Sequence, residues 1–215
     1  MPVELTAGEQ DQMEVEVRAM MGRAQKTHCP DNKLGWGNNA SGYRLTEFDI
    51  EHIGLIAEYA VVKQFDGGLK DCDVLTRGTG KLDDGIDITL PGHVTAQVKG
   101  VVMQPNWRRP YRPFWALRDL YVEKFITDIG ILVLARCDGH AEILGYVTRN
   151  RFVRDCWTPG DRANCRIVDL GYGPRLGINA LHMSPFEPLA AQLRQLSADQ
   201  RVATIHDDGT IELAR

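Results

Sequence analysis

Apolar positions along the chain follow two periods, one helical and one extended. From residue 6 to about 26, Met13, Val17, Met20 and Ala24 recur on one face, and Thr6 followed by Glu9 makes a capping box, which together predict a helix. Residues 27–43 contain Pro30, Asn32, Gly35, Gly37, Asn38, Asn39 and Gly42 and predict a long irregular connection. A second helix is expected from Thr46, with Asp49 three residues on and an apolar face of Ile50, Ile53, Ile56, Ala57, Ala60, Val61 and Phe65. That face is broader than the first, so this helix should be the more buried. Its interior Gly54 is less favourable than alanine by roughly 1 kcal/mol, a cost understandable if something approaches the backbone there.

Asp66-Gly67-Gly68 stops the helix, and the period then shortens to two. A short strand is expected around Cys72 to Leu75, then a turn-rich stretch from Arg77 to Asp84. Ile86 to Leu90 alternates as a strand, Pro91-Gly92 turns it, and Val94 to Val102 returns as its hairpin partner. The unbroken apolar run Ile129 to Ala135 suits a central strand buried on both faces. Asp138-Gly139 turns it into a further strand, Ile143 to Val147. Leu189 to Leu196 predicts a last helix, and Asp207-Asp208-Gly209 a polar hairpin within residues 201–213. With no repeat or linker, this is an α/β chain with an N-terminal helix and irregular connection (1–45), a core (46–135) and a C-terminal extension packed on the same domain (136–215).

Composition narrows the functional classes. The 215 residues are 43% hydrophobic and 25% charged, ordinary globular usage, and 25 basic against 29 acidic residues give a net charge of -4. A polyanion-binding site must therefore be local. No run approaches the roughly 20 apolar residues of a membrane span and the start lacks a signal-like pattern, so a cytoplasmic location is expected. Cys29, Cys72, Cys137, Cys156 and Cys165 are odd in number and widely spaced, which predicts free thiols without zinc-ligand spacing. Ser41, Ser184 and Ser197 have no nucleophile-elbow context, and Gly171 to Arg175 matches no phosphate-gripping loop. His52 lies six residues before Glu58 on its helix and should face elsewhere; His93, near the hairpin turn, is at most an accessory proton-transfer group.

The chemistry concentrates in Asp87 and the triplet Gln97-Val98-Lys99. On one strand Gln97 and Lys99 leave the same face, and the preceding hairpin strand brings Asp87 alongside them. Ile86 and Ile88 bracket Asp87, which favours it over the turn acid Asp84. Carboxylate, amide oxygen and ammonium thus cluster, with the Val98 carbonyl as a further oxygen. A hard cation such as Mg²⁺ or Mn²⁺ takes such oxygens, activates water and neutralises phosphate charge, while a lysine orients the nucleophile or stabilises the transition state. Glu58, after the apolar turn Gly54-Leu55-Ile56-Ala57, is the best additional anion.

In these residues the chain resembles the PD-(D/E)xK nuclease superfamily. The Glu58 helix looks like the family's leading glutamate helix, Asp87 like its metal-binding aspartate, and Gln97-Val98-Lys99 like its acidic-x-lysine signature in the glutamine form. Gly85-Ile86-Asp87 is similar to the wording of restriction enzymes that target modified DNA. The resemblance covers residues 46–135 and implies a restriction-endonuclease-like mixed central sheet flanked by helices, with additional C-terminal strands here. It implies metal-dependent DNA hydrolysis, with Asp87, Glu58, Gln97 and the Val98 carbonyl on the metal and Lys99 assisting water. Gln97 is neutral where the commonest form has an acid, which shifts weight to Glu58 and leaves room for an inactive relative.

Between Lys99 and Arg118 the chain carries Arg108, Arg109 and Arg112 but no acid, interleaved with Trp107, Tyr111, Phe114 and Trp115. The arginines suit phosphates and the rings opened bases; equally, Phe114, Trp115 and Leu117 suit core anchors, or the stretch a flap. Arg149, Arg151, Phe152, Arg154 and Trp157 form a second basic and aromatic cluster. Two other classes stay open, a noncatalytic nucleic-acid-binding accessory protein and a viral (phage) structural or assembly protein. A homodimer with paired sites would fit cleavage of two DNA strands.

Overall fold

The computed structural model describes residues 1–24, 47–76, 85–102, 114–116, 125–135, 140–157, 165–169 and 174–214. In chain order these form β1 (Pro2–Glu4), α1 (Ala7–Ala24), α2 (Glu47–Val62), β2 (Ile88–Leu90), β3 (Val94–Val102), β4 (Phe114–Ala116), β5 (Ile129–Ala135), β6 (His140–Thr148), α3 (Arg149–Trp157), β7 (Cys165–Asp169), β8 (Pro174–Asn179), α4 (Phe186–Leu193), β9 (Val202–Ile205) and β10 (Ile211–Leu213). The expected connection at 27–43, the Thr46 cap and the turn at 77–84 lie outside the described residues.

A five-stranded mixed sheet, ordered β1-β6-β5-β3-β2, is the frame. β3 and β5 run parallel, and the other neighbours are antiparallel. β5 is buried on both faces as its apolar run predicts, because each face is covered. On one face Val94, Ala96 and Val98 meet the α2 layer. A Cβ at Gly100 would lie 2.9 Å from the Ile53 carbonyl and 3.1 Å from the Ala57 Cβ, so helix backbone and strand approach closely beside Gly54. α1 closes this layer with Met13, Val17 and Met20, all buried. On the other face Trp115, Phe125, Leu132, Val147, Phe152 and Ile178 form a second core, to which the antiparallel β4-β8-β7 sheet contributes Trp115 and Ile178.

Several elements differ from expectation for local reasons. Residues Asp73–Thr76 form a 3-10 turn where a strand was predicted at Cys72 to Leu75, directly after another 3-10 turn at Leu69–Asp71. Asp71 Oδ2 accepts from the Gly68 amide at 2.8 Å, giving the backbone a local partner that competes with extension. The last helix is Phe186–Leu193, beginning directly after Pro185. α3 was not foreseen, although Thr148 acts as its N-cap, Oγ1 accepting from the Arg151 amide at 3.1 Å. The sheet also takes β1 from the N-terminal segment, where the Met1 ammonium donates to the Ile143 carbonyl at 2.8 Å.

The predicted C-terminal hairpin forms as β9 and β10, with Gly209 at φ 88°. Asp207 fastens it: Thr148 Oγ1 donates to Oδ1 at 2.7 Å, the Arg154 guanidinium to Oδ2 at 3.1 Å, and Ser184 Oγ to its carbonyl at 2.5 Å. Asp207→Ala strands the buried Thr148 hydroxyl and should lower stability by about 1–3 kcal/mol, measured by urea denaturation. A loss below about 0.5 kcal/mol would show that the carboxylate does not hold the hairpin.

Glu9 ties α1 to α2 and brings a pH dependence. It accepts from Tyr59 Oη at 2.7 Å, from Lys63 Nζ at 2.8 Å and from the Thr6 amide at 2.7 Å, which confirms the predicted capping box. Burial alone would raise its pKa, but the bonds from Lys63, Tyr59 and Thr6 prevail and hold it at about 2, below its ordinary 4.5. A depressed carboxylate contributes its stability above the unfolded-state value and loses it as pH falls through the folded one. Acid titration of thermal stability should therefore show a decline between about 4.5 and about 2 that Glu9→Gln removes.

Candidate active site

The geometry around Asp87 follows from where β2 ends. The Asp87 amide still donates to the Ala96 carbonyl at 3.1 Å, continuing the ladder one residue beyond β2. There its carboxylate takes over: Oδ2 accepts from the Val98 amide at 2.7 Å, filling the place of a strand carbonyl. A charged acceptor makes a shorter, stronger bond than a neutral carbonyl. The Asp87 carbonyl accepts from the Asp73 amide at 3.1 Å, so the 3-10 turn at Asp73–Thr76 backs the same residue. Lys99 Nζ stands 3.9 Å from Asp87 Oδ2, with the two side chains 37% and 18% exposed. At that separation, with the lysine reaching solvent, the ion pair itself contributes little to folding.

Gln97 and Lys99 alternate with Val98, as predicted, and leave the sheet on the face opposite α2. Gln97 Oε1 is buried and has no hydrogen-bond partner among the described residues. Such an orphan acceptor costs about 1–3 kcal/mol unless something supplies a partner. The Gln97 carbonyl accepts from Trp115 Nε1 at 3.3 Å. Trp115 in turn lies over Gly130, the β5 residue paired with Gln97; a Cβ there would lie 2.5 Å from Cζ2 and closer still to Cε2. This link was missed in the sequence, where Gly130 inside an apolar run was its only trace.

Glu58 approaches from the helical layer. It is buried at 5% exposure on α2, and it has electrostatic influence on Cys72, whose thiol is pushed up by burial first and then by the charges of Glu58 and Asp71. Cys72 precedes Asp73, so one short segment connects the Glu58 surroundings to the Asp87 backbone. Asp87, Val98 and Lys99 therefore meet directly, Gln97 shares the Lys99 face, and Glu58 stands behind them on the α2 side.

Of the nucleic-acid-binding candidates, Arg108, Arg109, Arg112, Arg118, Trp107 and Tyr111 lie outside the described residues, as does Asp84. Arg149 is exposed at the start of α3, its Nε donating to the Phe125 carbonyl at 2.7 Å. Arg151, half-buried, donates to Ser184 Oγ at 3.0 Å and to the His182 carbonyl at 2.5 Å. Trp115 and Phe152 are fully buried core anchors, not base platforms.

Among the described residues, no group of three or more His, Cys, Asp or Glu is placed to hold a metal ion. Nor does any helix among them have the length and apolarity to cross a membrane. No protein-family model, curated protein or solved structure matches the chain. The site joins a carboxylate fixed by a backbone amide, an ammonium beside it, and a buried amide oxygen without a partner among the described residues.

Proposed function

We propose that this chain hydrolyses DNA phosphodiester bonds with a divalent cation, Mg²⁺ or Mn²⁺, at the Asp87–Lys99 corner of a restriction-endonuclease-like sheet. The observation that carries this reading is the Asp87 carboxylate, held by the Val98 amide at 2.7 Å and standing 3.9 Å from Lys99 Nζ. The order of α2, the β2–β3 hairpin and a parallel β5 agrees with it.

The donor set suits a hard cation. Asp87 would supply a carboxylate oxygen and Val98 its carbonyl, which in an extended strand turns to the same edge as the amide bonded to Asp87; Gln97 Oε1 on the Lys99 face and the Glu58 carboxylate on the α2 side flank that corner from opposite faces of the sheet, so one cation there would draw on one of them together with water. Bound there, the cation would acidify water and neutralise charge developing on phosphate. Lys99, in front of Asp87, places its ammonium to orient the attacking water or to meet the phosphate oxygens. Asp87, opposite in charge, holds that ammonium near the reacting group. The exposed Arg149 offers a phosphate contact to the flanking strand.

A second reading, DNA binding without cleavage, is favoured by the neutral Gln97 and by the lack of a three-acid cluster among the described residues. One experiment separates them. Labelled linear and circular, single- and double-stranded DNA is incubated with native and Lys99→Ala protein in Mg²⁺, Mn²⁺ or EDTA. Products that need metal and vanish with Lys99→Ala support hydrolysis; salt-sensitive binding without products supports the second reading.

A further inference from the structure

The peptide group between Gln97 and Val98 is hydrogen-bonded at both ends. Its carbonyl accepts from Trp115 Nε1 at 3.3 Å, and its amide donates to Asp87 Oδ2 at 2.7 Å. Because a peptide unit is planar and rigid, fixing one end fixes the direction in which the other points. A donor on the carbonyl also polarises the amide, strengthening the bond it gives to the carboxylate.

Trp115 is itself immobilised. It is fully buried, its ring centroid lies 4.6 Å from that of Phe125 and 5.2 Å from that of Phe152, and its indole occupies the space that only a glycine at 130 leaves open. It sits on β4, within the Lys99 to Arg118 stretch that carries the arginines.

We propose that Trp115 is a positioning residue for the Asp87–Lys99 site, setting the Asp87 carboxylate through the Gln97–Val98 peptide. This rests on Asp87 and Lys99 being the reacting pair, but the structural relay can be tested without cleavage. Trp115→Phe keeps an aromatic ring and removes the N–H; Phe152→Leu perturbs the same core without touching the peptide.

In Trp115→Phe, hydrogen exchange at the Val98 amide should accelerate about tenfold, and its NMR shift should move. Single-turnover cleavage should slow by about tenfold or more with DNA affinity within about twofold of native, the pattern of a misplaced group rather than a lost contact. Phe152→Leu should lower the melting temperature and leave the Val98 amide in place. An unchanged Val98 amide in Trp115→Phe, or an equal change in Phe152→Leu, overturns the proposal. Should Trp115→Phe fail to fold, β-(3-benzothienyl)alanine at position 115 keeps the bicyclic shape without the donor and gives the same readings. If native protein cleaves no DNA in any metal yet the Val98 amide responds as expected, the hydrolytic reading fails and the positioning relay stands.

Discussion

Asp87→Asn should reduce metal-dependent DNA cleavage by at least about 10²–10³-fold while leaving the fold in place. The substitution is nearly isosteric, and the asparagine carbonyl can still accept from the Val98 amide, so the strand register is kept. What disappears is charge: the anion that is proposed to bind a cation and that holds the Lys99 ammonium 3.9 Å away. The ammonium is 3.9 Å away and reaches solvent, so losing that attraction should shift the melting temperature by only a few degrees. Single-turnover cleavage and thermal melts on the same preparation make the test. Cleavage within about threefold of native would move the reaction away from Asp87, and a collapsed melt would mark Asp87 as a structural residue first.

Lys99→Met sharpens the assignment, since it removes the ammonium and keeps most of the apolar stem. Cleavage should fall by a similar factor and not return at higher metal concentration, whereas a loss at Asp87 should be partly recovered there.

How far the sequence anticipated this site depends on the range of the forces involved. Strand alternation is a local property, so the shared face of Gln97 and Lys99 was legible, as was β5, whose apolar run has no polar side to turn outward. Asp87 was assigned to the strand, yet β2 begins at Ile88 and Asp87 acts as the strand's substitute acceptor. Such an exchange of side chain for backbone leaves no trace in periodicity. Cys72 to Leu75 alternated too briefly to outweigh the Asp71 turn. Trp115 was weighed between base platform and core anchor, and its burial decides for the core. Only the tertiary pairing of Gly130 with Gln97 reveals what that core position supports.

Gly130→Ala tests that pairing from the opposite strand and should produce the largest stability loss. The added methyl would overlap Trp115 Cε2 and lie 2.5 Å from Cζ2, in a site where both residues are fully buried. Nothing flexible can yield: the ring is held by Phe125 and Phe152, and the strand by partners on both sides. Overpacking of a core typically costs about 1–3 kcal/mol, and a rigid aromatic against central-strand backbone belongs at or above the upper end. Urea denaturation should therefore show a loss of about 3 kcal/mol or more. Trp115→Leu in the same chain should reduce the cost of Gly130→Ala, because the smaller side chain vacates the contested volume. Independent, additive losses in that double-mutant cycle would show that the two residues do not meet as described. If they do meet, the surviving fraction of Gly130→Ala protein should also cleave DNA more slowly than its folded population allows, since displacing the indole releases the peptide that holds Asp87.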